Sequence, residues 1–417
     1  MSIHSRINRV VVLLEFAPSP REVNYYGGVD ILRRNGFQAE VWDLSRAVNH
    51  RVGGGLAVPD IDGPLRTFRE AADACEALAQ LHSSCFVVAN FGYGRRSLRL
   101  FQSLSRSRAN YGLTALGMLP RPVLRDRWGT LWTRTAGQNV DTLVHRIPPA
   151  WLGVRPARLM LRSGAAPYPH PGVSDSTEQL WVHALDYDTY LQEQQHFAEE
   201  MSEPSAVFLD NGMTSHPDYA HLVRKPIGSP ADYYSSLFRM FDQVESRLGL
   251  KVVIAGHPRC NYDQLSHIFK SRPVIQDQTA SLVRQSSLVL LHCSTAVNFA
   301  VLFERPLIFV TTDTIDSTEH GASIQALAKE FGKRPLNVDR KTIFASHQDL
   351  EVLPQIYREY RERYIKTAGS PELPAWQIIA DRLLTLETRE PPRPTAEANE
   401  SQSEMTDMEG RSVERVN

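Results

Sequence analysis

The sequence predicts an α/β protein made of two doubly wound, mostly parallel sheets that face a cleft. Apolar, β-branched runs such as RVVVLLEF at 9–16 alternate with amphipathic stretches, which is typical of strands that helices bury on both faces. The alternation occurs twice, in the first 118 residues and again after residue 178. A chain of 417 residues is too long for one ordinary core, so we expect two domains.

The first series predicts four strands joined by helices. Residues 29–37 are expected to form a helix that ends at Gly36, whereas APSPREVNYYGG at 17–28 is expected to be a loop. Residues 119–178, rich in Arg, Pro and Gly, are interpreted as a helical subdomain or a loop region. The four strands are assigned to 9–16, 38–45, 84–94 and 111–118.

The second series begins with strands within 178–192 and 205–213. A long helix, 230–249, ends at a glycine and leads into a strand at 250–256. The remaining strands are assigned to 272–277, 288–293 and 305–312, and the remaining helices to 279–287, 294–304 and two closing segments.

These elements predict three parts of the chain. Residues 1–195 form an N-terminal domain and residues 196–387 a C-terminal domain. Residues 388–417 are polar, contain prolines and have few apolar side chains, so they are expected to be a disordered tail.

The composition argues against several classes of protein. The 46 basic and 47 acidic residues give a net charge of -1, so no general attraction to nucleic acid is expected. The four cysteines stand singly without metal-ligand spacing, which suits a reducing compartment. No apolar segment reaches the roughly 18 residues of a membrane span, and the N-terminus lacks a cleavage site. The cytoplasm is therefore the expected location.

The stretch LKVVIAGHPRCNYD at 250–263 contains the first candidate site residue. Its strand ends at Gly256 and continues into His257, Pro258 and Arg259. Pro258 restricts the residue before it to an extended conformation. Since ligands of open α/β sheets bind at the carboxyl ends of the strands, His257 is expected at a binding edge.

Ser294 and Thr295 follow the predicted strand 288–293, at the start of a helix. Backbone N–H groups at a helix start favour an anion, which suits a phosphate group. The alternative is that Ser294 only caps the helix, a contribution of about 1 kcal/mol.

Acidic and glycine residues complete the candidate set. Asp210 ends a third strand and is suited to accept a proton from a hydroxyl group, although Asp-Asn-Gly also forms ordinary turns. His183, Asp186 and Asp188 form either a structural network between the domains or part of a functional site; too few ligands accompany them to favour a metal. The backbone at Gly27 and Gly28 is open enough to approach a ligand, but the pattern is not that of a dinucleotide site.

In this order, the motifs HALDYD, FLDNGMTSHPD, VIAGHPR and SSLVLLHCSTAVNFAVLFERPLIFV resemble bacterial GT-B glycosyltransferases. The similarity is to enzymes of surface and capsular polysaccharide biosynthesis, such as the sialyltransferases and Kdo transferases with a His-Pro motif. It covers about residues 175–385 and is weak before them. The resemblance implies two Rossmann-like domains, with the acceptor bound by the first and the nucleotide-sugar donor by the second.

The resemblance also implies roles for individual residues. Asp210 would be the general base of an inverting displacement, and His257 would contact the donor phosphate. The donor site is assigned to His257, Pro258, Arg259, Ser294 and Thr295, and the acceptor side or the contact between domains to Gly27, Gly28, His183, Asp186 and Asp188.

The sequence departs from the family pattern at two positions. Asn211 replaces the second acidic residue of the base motif, so Asp186 and Asp218 are alternative bases. Phe299 occupies the position, seven residues before Pro306, where many relatives that use UDP- or GDP-sugars have a ribose-binding Glu. This departure favours a CMP-activated acidic sugar as donor.

The resemblance therefore predicts an inverting, metal-independent glycosyltransferase with a carbohydrate or glycolipid acceptor. The nucleotide sugar is a co-substrate, and no other cofactor is expected. Such an enzyme is expected in the cytoplasm, either free or peripherally associated with the inner face of the membrane. Two alternatives stay open: a sugar-nucleotide epimerase of the same fold, and a non-catalytic scaffold or sensor in polysaccharide assembly.

Overall fold

The structure is a computed structural model and describes most of the chain. The described residues are 6–48, 63–122, 144–195, 203–214, 227–263, 268–269, 271–340 and 350–387. The predicted tail 388–417 and the alternative base Asp218 lie outside them.

The first sheet contains seven parallel strands. They are β1 (Arg9–Leu14), β2 (Gln38–Asp43), β3 (Leu65–Thr67), β4 (Cys85–Asn90), β5 (Asn110–Ala115), β6 (Leu159–Arg162) and β7 (Glu178–Trp181). Their order in the sheet is β3-β2-β1-β4-β5-β6-β7, so the chain starts near the middle and winds to both edges. Val11 and Leu13 of β1 pack in one core, whereas Val10, Val12 and Leu14 pack in the core on the opposite face. This is the burial on both faces that the apolar run predicted.

The second sheet contains six parallel strands. They are β8 (Ser205–Leu209), β9 (Lys251–Gly256), β10 (Val274–Gln276), β11 (Leu288–Leu291), β12 (Leu307–Thr311) and β13 (Leu336–Asn337). Their order is β10-β9-β8-β11-β12-β13. The winding direction changes between β8 and β11, and such a switch point leaves a crevice at the carboxyl ends of the strands.

Helices connect the strands of both sheets. They are α1 (Pro20–Gly27), α2 (Val29–Arg34), α3 (Ser45–Val48), α4 (Ala71–Ala79), α5 (Leu98–Arg106), α6 (Leu185–Gln195), α7 (Pro230–Leu248), α8 (Thr279–Gln285), α9 (Val297–Leu302), α10 (Asp313–Asp316), α11 (Glu319–Glu330), α12 (Pro354–Tyr360) and α13 (Ala375–Thr385). A 3₁₀ turn covers Pro149–Leu152, and a π-helical turn, Arg361–Ile365, extends α12. Two doubly wound parallel sheets confirm the predicted fold class. Within the described part of the chain, no helix is both long and apolar enough to cross a bilayer.

The predicted loop at 17–28 is wrong, because most of it forms α1. Ser19 caps this helix: its Oγ accepts the Glu22 backbone N–H at 3.4 Å, and Glu22 Oε2 accepts the Ser19 N–H at 2.8 Å. Pro20 follows the cap, where its fixed φ suits a first helical turn. The stretch S-P-R-E is therefore a capping box, a local signal for a helix start.

The end of the first sheet also differs from the prediction. β6 lies within 119–178, where the interpretation was a helical subdomain or a loop region. β7 was expected to begin the second sheet but pairs with β6 as the last strand of the first, with Leu161 opposite Leu180. Its residues alternate between half-buried and exposed, as on an edge strand, so it lacks the continuous apolar run that marks the central strands.

Two helices pack on a domain other than the one whose sheet they follow in the chain. α13 follows the second sheet in the chain but packs on the first, where Trp376, Ile379 and Leu383 join the core around Val10 and Leu14. α6 follows β7 but lies against the second domain. Tyr187 belongs to that core, and the ring of Tyr190 lies 5.0 Å from that of Phe303. The division at residue 195 stays a prediction, and the two domains are tied together at both of these helices.

The contact between α13 and the first sheet yields a stability prediction at Gly28. Its φ is +59°, and a Cβ there would overlap the ring of Trp376. Gly28→Ala is therefore expected to lower the free energy of unfolding by about 3 kcal/mol or more, measured by urea denaturation. Gly36 also has a positive φ, +88°, but a Cβ there meets nothing within 4 Å. Gly36→Ala is the matched control and should cost about 1–2 kcal/mol. Equal losses in the two variants would contradict the proposed clash.

Candidate functional site

A cavity of about 680 Å³ lies between the two domains. One wall consists of α1, the turn before it and one face of α6. The opposite wall consists of the residues that follow β8, β9, β10 and β11 at their carboxyl ends. The volume is typical of a small-molecule site.

Most of the candidate residues line this cavity. Those in its wall are Asp186, Asp210, His257, Pro258, Arg259, Ser294 and Thr295. Those outside it are Gly27, Gly28, His183 and Asp188. Residues from four separate stretches of sequence are thus brought together in one place.

His257 is held in position by its neighbours. Its backbone N–H donates to the Tyr262 hydroxyl at 2.8 Å, and its carbonyl accepts the Gln276 side-chain amide at 2.8 Å. Its Nδ1 accepts the Arg259 backbone N–H at 3.2 Å, which places the proton of the neutral ring on Nε2. The residue belongs to the cavity wall.

The strand ends at Gly256 because the chain folds back onto it. A Cβ at this residue would lie 2.8 Å from the Tyr262 ring and 3.0 Å from the Gln276 side chain. Both of these side chains hold His257. The glycine therefore permits the close approach that fixes the histidine.

Asp210 is buried beneath this loop and has several hydrogen-bond donors. Only 5% of its surface is exposed. Its Oδ2 accepts the hydroxyl groups of Tyr234 at 2.5 Å and Tyr262 at 3.0 Å, and its Oδ1 accepts the Gly212 N–H at 3.0 Å. Burial raises the pKa of this carboxyl, and the hydrogen bonds oppose that rise. The carboxylate joins the end of β8 to the His257 loop through Tyr262.

Asn211 and Ser294 order the turn after β11. The Asn211 side-chain amide donates to the Cys293 carbonyl, a bond that an acidic residue in its place is unable to make. Ser294 Oγ accepts the Ala296 N–H at 3.2 Å, so 294–296 form a turn and α9 begins at Val297 instead of at the predicted residue 294. Within the described residues, the backbone N–H groups of Ser294 and Thr295 have no acceptor.

Asp186 lies in the first turn of α6, where the two walls of the cavity meet. Its Oδ1 accepts the Tyr25 hydroxyl of α1 at 2.9 Å, and its Oδ2 accepts the Asn298 amide of α9 at 2.8 Å. Burial raises the pKa of Asp186 to about 6, although both hydrogen bonds favour the charged form. This carboxyl therefore has one donor from each domain.

His183 and Asp188 lie on the other side of α6 and join it to the segment before α13. The two ring nitrogens of His183 face the carbonyls of Ala184, at 3.0 Å, and Leu373, at 2.7 Å. Asp188 Oδ1 accepts the Ala375 backbone N–H at 3.0 Å and lies 3.5 Å from His183 Nε2. These contacts form a structural network between the domains. The described residues contain no group of three or more His, Cys, Asp or Glu placed to hold a metal ion.

The two glycines pack against protein. Besides the contact of Gly28 with Trp376, a Cβ on Gly27 would overlap Val41 of β2. The ligand approach expected from the sequence is instead made by the side chains of α1, which line the cavity.

Several site residues were not found from the sequence. They include Arg21, which pairs with Asp277 across the cleft at 2.5 Å, and Phe16, whose ring lies 5.2 Å from the guanidinium of the predicted donor-site residue Arg259. The capping box of α1 was a local signal for the first wall. Tyr262 and Asn298 act through contacts made far along the chain, and no local pattern indicates them.

Comparisons with known proteins give distant likenesses in structure alone. No protein-family model matches the chain, and a search of curated protein sequences found no match. Among solved structures, MnaA of S. aureus, solved with UDP, shares 12% identity over 92% of this chain and 99% of its own, with a TM-score of 0.47. MurG of Acinetobacter baumannii shares 10% identity over 91% of this chain and 100% of its own, with a TM-score of 0.45. The UDP-GlcNAc 2-epimerase of Methanocaldococcus jannaschii shares 9% identity over 90% of this chain and 99% of its own, with a TM-score of 0.44. These likenesses are too distant to assign a function to this chain.

The raised pKa of Asp186 predicts a pH dependence of stability. A folded-state pKa of about 6 exceeds the usual value of 3.8, so the folded chain keeps a proton that the unfolded chain releases between pH 4 and 6. The free energy of unfolding should therefore fall with rising pH in this window because of Asp186, by roughly 2–3 kcal/mol.

Asp186→Asn tests this titration without any ligand. Its stability difference from wild type should shift in favour of the variant by that amount between pH 4 and 6, measured by urea denaturation at each pH. Any loss from the altered hydrogen bonds adds a constant offset. A difference that is independent of pH would show that Asp186 does not titrate in this range.

Proposed function

We propose that the chain binds a nucleotide-activated sugar in the interdomain cavity and transfers the sugar to a hydroxyl group of a carbohydrate acceptor. One observation carries the proposal: residues suited to a phosphate follow β9 and β11 and meet in one cavity, opposite a wall from the other domain. The resemblance of the second half of the chain to GT-B glycosyltransferases supports it.

The donor phosphate would bind at the edge of the second sheet. His257 offers its Nε2–H from a fixed orientation, and Arg259 adds a positive charge in the same wall. The hydroxyls and backbone N–H groups at Ser294 and Thr295 are further donors. Such preorganised donors stabilise the charge that a departing nucleotide phosphate acquires in the transition state.

The acceptor would bind against the first domain. Tyr25 and Tyr26 of α1 line that wall, and aromatic side chains suit the apolar faces of sugar rings. Asp186 lies between this wall and the donor side. The hydroxyl to be glycosylated and the sugar to be transferred would therefore meet near its carboxyl group.

The proposed donor class is a CMP-activated acidic sugar. Phe299 is buried in the cavity wall, where relatives that use UDP- or GDP-sugars have a carboxylate. A phenyl ring does not replace that carboxylate as an acceptor, and this departure from the family pattern is the reason for the proposed donor class. Inversion, independence of metals, a role in surface polysaccharide synthesis and contact with the membrane remain predictions from the resemblance.

Nucleotide binding is the first test of this function. The full chain is heated with CMP, CDP, UDP, GDP and their sugars, and unfolding is followed by thermal shift. A ligand at 100 times its dissociation constant should add about 2.7 kcal/mol of stability. We expect one class of nucleotide, the cytidine class, to stabilise the wild type, and His257→Ala to weaken that effect by at least about tenfold in affinity because it removes a phosphate donor.

His82→Ala is the matched control, since His82 is exposed and does not line the cavity. It should bind like the wild type. Stabilisation by uridine nucleotides alone would refute the proposed donor class, and conversion of a UDP-sugar without an acceptor would favour the epimerase. If no nucleotide stabilises the chain, the proposed function is wrong and a scaffold role is favoured.

A further inference from the structure

We propose that Asp186, and not Asp210, accepts the proton of the attacking hydroxyl group. The proposal rests on the sugar transfer proposed above. The observation behind it is that the Asp186 carboxyl lies in the cavity wall and accepts hydrogen bonds from Tyr25 of one domain and Asn298 of the other.

Asp210 has little capacity left to accept a proton from a substrate. A carboxylate has about four lone-pair sites. Two tyrosine hydroxyls occupy Oδ2, and the N–H groups of Gly212 and Asn211 act on the same carboxyl. Displacing the Tyr262 hydroxyl from this carboxyl would also disturb the group that fixes the His257 backbone. Asp210 is therefore a positioning residue for the phosphate side of the cavity.

Asp186 keeps free acceptor capacity on both oxygens. Each oxygen accepts one hydrogen bond, from Tyr25 or from Asn298, and each has a second lone-pair site. The two donors fix the plane of the carboxyl group. Asn298 is itself 1% exposed, and its Oδ1 has no hydrogen-bond partner among the described residues.

The face of α6 that carries Asp186 points into the cavity. Thr189, Gln192 and Glu193 follow it at helical spacing and line the same wall. The next residue, Tyr187, faces the core of the second domain, so Asp186 stands where α6 passes between the two domains. From this position the Asp186 carboxyl accepts hydrogen bonds from both Tyr25 of α1 and Asn298 of α9.

The groups around Asp186 match a base that works near neutral pH. Tyr25 on α1 and Tyr360 at the end of α12 are neutral phenols whose pKa values burial raises. Asp188, two residues further along α6, is turned toward His183. Burial among these groups raises the pKa of Asp186 to about 6, so the carboxylate is mostly ionised at pH 7 and still basic enough to accept a proton.

The step balances without a co-reactant. The acceptor oxygen forms a bond to the anomeric carbon of the sugar while the bond from that carbon to the nucleotide phosphate oxygen breaks. The proton of the acceptor hydroxyl moves to a free lone pair of Asp186, and the electron pair of the broken bond leaves with the phosphate near His257. The protonated Asp186 then releases its proton to solvent.

The experiment compares three substitutions of one kind in the full chain. Asp186→Asn, Asp210→Asn and Asp188→Asn each replace a carboxylate by an amide. Nucleotide affinity is measured by thermal shift, and release of nucleotide from CMP-, UDP-, GDP- and dTDP-sugars is measured from pH 5 to 8, in water and with free sugars as acceptors. Asp188→Asn is the matched control because Asp188 lies two residues away and outside the cavity.

For Asp186→Asn we expect kcat to fall about 10²–10⁴-fold, the usual contribution of a general base. Nucleotide affinity should stay within about threefold of the wild-type value. The wild-type rate should decline below about pH 6, and this acidic limb should be absent from the residual rate of the variant. Asp188→Asn should keep the limb.

Tyr25→Phe gives an independent reading if Asp186→Asn fails to fold. The Tyr25 hydroxyl stabilises the charged form of Asp186, so its removal should raise the pKa of Asp186 and move the acidic limb to higher pH. A merely structural role of Tyr25 would lower the rate at every pH equally.

Four outcomes would overturn the proposal. Turnover by Asp186→Asn with a wild-type kcat and an unchanged limb would exclude Asp186 as the base while leaving sugar transfer intact. Loss of the limb in Asp210→Asn alone would assign the base to Asp210. A wild-type chain that binds nucleotides but releases none from any of these donors would refute the transfer and the base together, whereas absence of nucleotide binding would refute the proposed function at its first step.

Discussion

The hydroxyl group of Tyr262 holds together the edge of the second sheet on which the candidate site depends. It donates to Asp210 at the end of β8 and accepts the backbone N–H of His257 at the end of β9. Two neighbouring strand ends are therefore joined by one side chain from the loop that follows them. Because the Tyr262 ring also packs on Gly256, the loop folds back tightly, and His257 points into the cavity. Because the buried Asp210 carboxylate holds two tyrosine donors, breaking this network costs free energy, and the strand ends that it joins are kept rigid.

The cavity exists because the chain crosses between its two domains. α6 leaves the first sheet and packs on the second, and α13 leaves the second and packs on the first. His183 and Asp188 join these two crossings to each other, while Asp186 on the same helix turns into the cleft. One short helix thus serves both as a structural connection and as a cavity wall. The cross-cleft contacts of Arg21 with Asp277 and of Arg259 with Phe16 lie at the same boundary.

Much of the fold was predictable because its strands are buried on both faces. An apolar run such as the one at 250–256 identifies a strand without knowledge of the strands beside it. The helix before it ends at Gly249, which has the left-handed conformation expected of a glycine at a helix end. A strand was predicted within 178–192, but β7 pairs with β6 in the first sheet and not in the second, and no local pattern records which strand pairs with which. The loop predicted for α1 was wrong although its capping box, S-P-R-E, is a local signal in the sequence.

The sequence by itself determined which residue types end each strand, because parallel strands place their carboxyl ends at one edge and the order of the motifs follows the order of the strands. It thereby identified His257, Ser294, Thr295 and Asp210 as residues of that edge. Only the tertiary structure decided how each one is used. The donors that occupy Asp210 come from Tyr234 and Tyr262, and those that reach Asp186 come from opposite domains. Such contacts join residues 24 to 161 positions apart, and no local pattern records which buried carboxyl will keep a lone pair for a ligand.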